Sequence, residues 1–288
     1  MLVALYTVLP VFGVVALGYA LGGRRGLDVR TLSNLALFVA SPCLLFSLLS
    51  DVELDVTRWV VLVGGAGVMA AGTALLAALY MRASGVGRGV LLPAVFLNGG
   101  NMGLACARLA YGAEGLQAGA LVFVSIAVLN SLFGIWIAKG RNGLGEALRM
   151  PLLYGAGGGL AASFFGWELP RIVMEPIDML GAMAIPLMLV TLGLQLRRLV
   201  VSDFVPATVA VVVRMAGGFA CALLFLWLLG AEGLDRKVLL LYSVMPPAVM
   251  NAVIAERYQT DPELVASAIT LGTLVSVIAI PAVLVFAG

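Results

Sequence analysis

The sequence contains no histidine and few charged residues. Of its 288 residues only 11% are Asp, Glu, Lys or Arg, whereas charged residues make up about 25% of an ordinary soluble domain. The lack of histidine excludes histidine-dependent proteolysis and an H-E-x-x-H metal site, and the nucleophile motif G-x-S-x-G is also absent. We therefore expect no enzymatic activity, no metal site and no bound cofactor.

Cysteines are scarce, and the net charge is only +2. Cys43, Cys106 and Cys221 each lie alone in an apolar segment, with neither the pairing of a disulfide framework nor the spacing of a metal site. No long basic run is present, so the sequence does not indicate nucleic-acid binding.

Apolar residues dominate the chain, with 62% hydrophobic residues and a mean hydropathy of +1.11. A soluble fold could not bury so much apolar surface, so the sequence predicts an all-α polytopic membrane protein. A helix that crosses a bilayer needs about 20 apolar residues. Apolar runs between charged residues and Gly or Pro breaks predict ten such helices, at residues 2–22, 31–50, 58–80, 88–111, 116–138, 150–166, 176–195, 204–229, 237–258 and 263–286.

The short loops between these spans differ in their content of Lys and Arg. The odd-numbered loops contain eleven such residues and the even-numbered loops contain four, and the even loops are instead acidic, as at residues 51–55. Cytoplasmic loops carry an excess of Lys and Arg. We therefore predict a protein of the cell (inner) membrane with cytoplasmic odd loops and with both termini outside.

The two halves of the chain resemble each other. "VLLPAVFLNGGNMG" at residues 90–103 aligns with "VLLLYSVMPPAVMN" at residues 238–251. Five spans per half is an odd number, so the second half must enter the membrane from the opposite side. Such inverted repeats recur in secondary transporters, with the binding site near the midplane. We predict an inverted 5+5 repeat with residues 1–140 and 141–288 as its two halves.

The fourth and ninth predicted spans contain helix breakers at matching positions. The breakers are Gly99, Gly100 and Gly103 in the fourth span, and Pro246 and Pro247 in the ninth. A proline inside a helix costs about 3 kcal/mol and a glycine about 1 kcal/mol, so each span is predicted to form two half-helices. The second half-helices are predicted to begin near Asn101 and at Pro247, with Asn98 and Asn101 as caps.

The restarting half-helices would point their N-termini at the membrane midplane from opposite sides. A helix N-terminus has unpaired N–H groups and about half a positive charge, which favours anions. Glycine and proline are also simply common in membrane helices, but their matched positions favour a site for a carboxylate. The predicted substrate-binding residues are Asn98, Gly99, Gly100, Asn101, Pro246, Pro247 and Asn251.

Arg214 is the one charged residue deep within a predicted span. It could balance a substrate carboxylate or brace the scaffold through backbone carbonyl groups, and we favour bracing because it lies outside the crossing helices. Asn130, Gln195 and Glu256 are further candidates for ion binding or support, although amides in membrane helices more often bond to other helices. The coupling ion, H⁺ or Na⁺, stays open.

Four segments resemble the auxin efflux carrier family, which includes plant PIN-type carriers and bacterial organic-acid carriers such as malonate permeases. They are "LNGGNMGLACARLAYG" (97–112), "MPPAVMNAVIAERYQTD" (245–261), "PLMLVTLGLQL" (186–196) and "ASAITLGTLVSVIAIP" (266–281). The resemblance implies ten helices with crossing fourth and ninth helices, a scaffold part and a transport part, and an elevator-type alternating-access motion. It also implies that Asn98, Asn101 and Pro247 lie at the crossing. The chain lacks a long hydrophilic central loop, so it resembles the compact bacterial members.

The predicted function is secondary transport of small organic anions, malonate- or auxin-like, by alternating access. The alternative is a sodium-coupled symporter of larger amphipathic anions, similar to the bile-acid symporters. A passive channel and a membrane enzyme are less favoured. The expected partners are a small organic anion and the lipid bilayer, without nucleic acid, and the sequence allows a homodimer through the scaffold helices.

Overall fold

The computed structural model describes residues 2–22, 28–52, 55–139, 145 and 150–288. These residues are helical, and their one extended pairing is an antiparallel bridge between Leu97 and Pro247. Six helical runs are long and apolar enough to cross a membrane, which confirms an all-α, multi-pass membrane protein. They are Val29–Ser50, Val56–Ser84, Gly99–Lys139, Arg171–Leu196, Phe204–Leu229 and Pro262–Ala287. The count of ten crossings and the inverted repeat stay predictions.

The described residues of the first half of the chain form six α-helices. They are α1 (Leu2–Leu21), α2 (Val29–Ser50), α3 (Val56–Ser84), α4 (Leu91–Val95), α5 (99–111) and α6 (113–139). Gly112 has φ 69° and ψ −153°, values outside the helical region, and separates α5 from α6. A Cβ at Gly119 would lie 3.2 Å from that of Ala107, so the chain folds back at Gly112 and α6 packs along α5.

In the second half, residues 150–288 form seven helices. They are α7 (Pro151–Phe165), α8 (Arg171–Ala182), α9 (Ala184–Leu196), α10 (Phe204–Leu229), α11 (Gly233–Ser243), α12 (Met250–Tyr258) and α13 (Pro262–Ala287). The described helices follow the predicted apolar runs closely. Several residues used for the predictions of orientation and repeat boundary lie outside the described residues, namely Arg24, Arg25, Glu53, Arg141, Arg149 and the boundary at 140–141.

Helices α1, α2, α7, α8 and α9 pack together as one group, here called the outer group. Glycine lets their backbones touch. A Cβ at Gly159 of α7 would lie 2.7 Å from Phe46 O of α2, and one at Gly193 of α9 would lie 2.6 Å from Tyr19 N of α1. Close backbone contact through small residues is the usual way that helices associate in lipid.

The other helices form a second group, here called the crossing group, around two interruptions. The first break, residues 96–98, separates α4 from α5, and the second break, residues 244–249, separates α11 from α12. Residues of both breaks are buried. The centre of this group is therefore irregular backbone, which membrane proteins tolerate only where other protein groups or a cavity satisfy it.

Contacts between helix ends join loops that the predicted topology places on the same side. Asp261 Oδ2 accepts the Gly89 N–H at 2.8 Å, which links the ninth and third predicted loops. Arg58 Nε lies 3.2 Å from Asp235 Oδ1, which links the second and eighth. Burial raises the pKa of the Asp235 carboxyl, and the Arg58 charge partly offsets this rise.

The glycines of α7 provide a matched test of this packing. Gly159→Ala should destabilise the protein by about 1–3 kcal/mol, because the added methyl group meets the α2 backbone. Gly157→Ala is the control, since a Cβ there meets no atom within 4 Å, and alanine favours the helix by about 1 kcal/mol. Melting temperatures in detergent measure the stability of both variants. Equal values for the two would contradict the close packing of α7 against α2.

Candidate functional site

The two breaks are hydrogen-bonded to each other. The Asn98 N–H donates to Pro246 O at 2.7 Å, and the Ala248 N–H donates to Phe96 O at 2.9 Å. An unsatisfied backbone group in an apolar environment costs several kcal/mol. The crossing therefore consists of two short extended segments, each of which satisfies part of the other's backbone.

The second half-helices begin at different residues from those predicted. Asn98 occupies the N-cap position of α5, but its side chain makes no capping hydrogen bond, so the predicted cap is wrong. Asn101 lies inside the first turn instead of at the cap. Helix α12 begins at Met250, so Pro246 and Pro247 lie in the extended segment and not in the first helical turn. Proline fits an extended segment that crosses another segment of the same chain, because proline has no N–H that requires an acceptor.

The glycines of the predicted motif allow two aromatic rings to approach α5. A Cβ at Gly103 would lie 2.8 Å from two ring carbons of Tyr242, and one at Gly100 would lie 2.8 Å from a ring carbon of Phe123. Tyr242 is fully buried, and its hydroxyl donates to Gly99 O at 3.4 Å. Sequence reasoning missed both rings, because an aromatic residue in an apolar run looks like ordinary core. The close spacing of the glycines was the available signal of a near neighbour.

Asn251 closes the end of α4. Its Nδ2 donates to Leu92 O and to Phe96 O, both at 3.1 Å, and the side chain is fully buried. Its Oδ1 accepts from Asn130 Nδ2 of α6 at 3.5 Å. Both amide hydrogens of Asn251 thus have acceptors in the protein, and contact with a substrate stays a prediction.

Three buried side-chain atoms at the crossing have no hydrogen-bond partner among the described residues, namely Asn98 Nδ2, Asn130 Oδ1 and Arg214 Nε. Asn98 is only 4% exposed. Buried polar groups are nearly always paired, so an unpaired one requires an explanation. The Asn98 amide lies beside the first turn of α5, where residues 100–102 have no acceptor within the helix. These N–H donors form a neutral site that suits an anionic oxygen.

The remaining candidates lie in different surroundings. Arg214 of α10 is fully buried and donates to the carbonyl oxygens of Val95 and Ser243. Gln195 links α9 to α2 through Ser33 Oγ at 3.2 Å. Glu256 of α12 is exposed. The structure therefore brings Arg214 to the crossing, whereas the described contact of the Gln195 side chain is to the outer group.

Comparisons with known proteins find similarity to membrane transporters. A family model described as "Membrane transport protein" matches residues 141–284. An uncharacterized transporter of Methanothermobacter thermautotrophicus is 29% identical over 293 residues, which cover 96% of this chain and 95% of the relative. A Methanocaldococcus jannaschii protein, also named an uncharacterized transporter, is 29% identical over 67% of this chain and 66% of its own length. A Rhizobium meliloti protein named "Putative malonate transporter" is 28% identical over 94% of this chain and 91% of its own length.

A double substitution tests the packing around Tyr242. A Cβ at Gly119 would lie 2.7 Å from the Tyr242 hydroxyl, so Gly119→Ala should cost about 1–3 kcal/mol. Tyr242→Phe removes that oxygen and should partly restore the stability lost in Gly119→Ala. On its own, Tyr242→Phe should have a small effect, because it removes only one long hydrogen bond, to Gly99 O. Melting temperatures of the two single variants and the double variant measure the coupling. Additive losses would contradict the contact.

Proposed function

Because the chain belongs to the membrane transport protein family, we propose that it is a secondary carrier that moves small organic anions through the crossing. Its membership confirms the resemblance to the auxin efflux carriers, and the names of its relatives identify it as a membrane transporter and not an enzyme. Transport of carboxylates, alternating access and the position of the site are parts of the proposal.

The observation that carries the proposal is the unpaired, buried amide of Asn98 beside the N-terminus of α5. Neither break contains an acidic residue. A carboxylate would therefore meet N–H donors without repulsion from a carboxylate of the breaks themselves. Binding by neutral donors also leaves the anion free to dissociate, which a carrier requires in each cycle.

The size of the anion is proposed from two observations. The name of the Rhizobium meliloti relative supports a dicarboxylate such as malonate. The close contacts of Phe123 and Tyr242 with α5 support a small substrate, because little space lies on that side of the helix.

A second candidate is a larger amphipathic anion. An apolar cavity of about 490 Å³ lies between α10 and α13 and reaches Val244 of the second break. An acyl or ring system could occupy this cavity while its carboxylate lies at the crossing. A bile acid represents this class in the thermal-shift screen.

Packing supports an elevator-type motion. The outer group is joined by backbone contacts at Gly159 and Gly193, and the crossing group is joined by hydrogen bonds between its two breaks. The groups meet where α9 contacts the first turn of α5 and where α1 contacts α13. The proposed site thus lies at the border of two firmly packed units. Sliding of one unit against the other would expose the site to each side in turn.

A thermal-shift screen of the purified protein tests the substrate class. Malonate, other mono- and dicarboxylates, indole-3-acetate and a bile acid are added at two pH values, with and without sodium. Stabilisation by malonate and not by the bile acid is the expected result. A shift confined to the bile acid would favour the second candidate, and no shift with any anion would contradict an anion site.

Three asparagines at the crossing provide matched variants. Asn98→Ala should leave the melting temperature unchanged, since Asn98 Nδ2 has no hydrogen-bond partner among the described residues, but should abolish the shift caused by malonate. Asn101→Ala in the same turn should also lose the shift. Asn251→Ala should instead lower the melting temperature of the free protein, because it removes hydrogen bonds to α4 that contribute about 1–3 kcal/mol. A normal malonate shift in Asn98→Ala would place the site elsewhere.

A further inference from the structure

Arg214 carries a positive charge in the interior of the crossing group. It is 0% exposed and belongs to a π-helical segment of α10, Val213–Gly217. Among the described residues, the one ion pair joins Arg58 to Asp235, so no described carboxylate neutralises Arg214. An unpaired buried charge is costly, and other groups must therefore stabilise it.

The acceptors of Arg214 are the ends of two different half-helices. Nη1 donates to Val95 O at 2.8 Å, and Nη2 donates to Ser243 O at 3.4 Å. Val95 is the last residue of α4, and Ser243 is the last residue of α11. A helix C-terminus carries up to about half a negative charge. One guanidinium thus offsets two such ends, one from each half of the chain.

The local sequence makes room for this side chain. A Cβ at Gly218, four residues after Arg214, would overlap Nη2 and lie 2.9 Å from Ser243 O. Helix α3 has a similar π-helical segment, Val60–Gly64, that also ends at a pair of glycines. Its second residue is Val61, where the segment of α10 has Arg214. The cation is therefore supplied by the second half of the chain alone.

In secondary transporters with broken helices, unwound carbonyl groups and half-helix C-termini bind the coupling cation. We propose that Arg214 is a built-in cation that occupies this position at the ends of α4 and α11, so that transport needs no bound metal cation. The inference rests on the proposed anion transport and specifies its coupling.

The proposal divides the four helix ends at the crossing into two pairs. Arg214 satisfies the two C-terminal ends, which are negative. Both N-terminal ends, of α5 and α12, are positive, and the end of α5 stays available for an anion, whereas at α12 the N–H groups of Asn251 and Ala252 already donate to Ala248 O and Val249 O. In a cation-coupled carrier a bound metal ion would have to offset the negative C-terminal ends, as the guanidinium group of Arg214 does here. Arg214 is thus a positioning residue that holds the half-helices without contacting the anion.

Melting temperatures in different salts test this role without any substrate. The wild-type protein should melt at the same temperature in sodium, potassium and choline chloride of equal ionic strength. Arg214→Lys keeps the charge and should also be insensitive to the salt, although it melts lower because it makes fewer bonds. Arg214→Ala should melt lower in choline chloride and gain several degrees in sodium chloride, because the freed carbonyl groups can bind Na⁺. Arg108→Ala, at an exposed position of α5, is the control and should behave as the wild type.

Two results would overturn the inference. One is stabilisation of the wild-type protein by sodium relative to choline. The other is a folded Arg214→Ala variant that responds to no cation.

Malonate counterflow in liposomes adds a second measurement on the wild-type protein. Equal initial rates in sodium and in choline are expected, and a requirement for sodium would overturn the inference. Absence of counterflow with every carboxylate in both salts would instead count against the proposed function. The melting comparison would still decide the role of Arg214 in that case.

Discussion

The structure depends on the pairing of two interrupted helices with each other. An interruption in the middle of a membrane helix exposes backbone groups that lipid cannot satisfy. Here the first break donates from Asn98 N to Pro246 O, and the second donates from Ala248 N to Phe96 O. Neither interruption would be stable alone, so the two halves of the chain must fold against each other before either crossing span is complete.

The side chains around the crossing follow from this constraint. Each first half-helix ends with carbonyl groups that need donors, and side chains of neighbouring helices supply part of them, Asn251 for α4 and Arg214 for both α4 and α11. Tyr242 fills the space beside the glycines of α5. Polar side chains in this otherwise apolar region are thus mainly bonded to backbone groups, and the Asn98 amide is of interest because its Nδ2 has no such partner among the described residues.

The sequence predicted the helices well and the crossing less well. Apolar runs locate helices because lipid requires a minimum apolar length, and Gly and Pro locate the breaks because they disfavour helix. The form of the breaks was not predictable in the same way. Pro247 was expected to begin a helix, but its bridge to Leu97 forms only when the other half of the chain is present. Likewise Asn98 was expected to cap α5, and the bonds of the Asn251 amide to Leu92 O and Phe96 O were not foreseen, because residue type does not specify which distant carbonyl group an amide will reach.

The two halves of the crossing differ in what they leave for a ligand. At the start of α12 the N–H groups of Asn251 and Ala252 donate to Ala248 O and Val249 O, and the Asn251 side chain is occupied as well. At the start of α5 the Gly99 N–H donates to Leu97 O, whereas the N–H groups of residues 100–102 have no acceptor within the helix and Asn98 Nδ2 has no partner among the described residues. An anion at the crossing would therefore be held mainly by the first half of the chain. The second half contributes the cation, Arg214, that neutralises the opposite helix ends. The two breaks are thus similar in form, and under the proposed function the differences between them separate binding of the anion from stabilisation of the crossing.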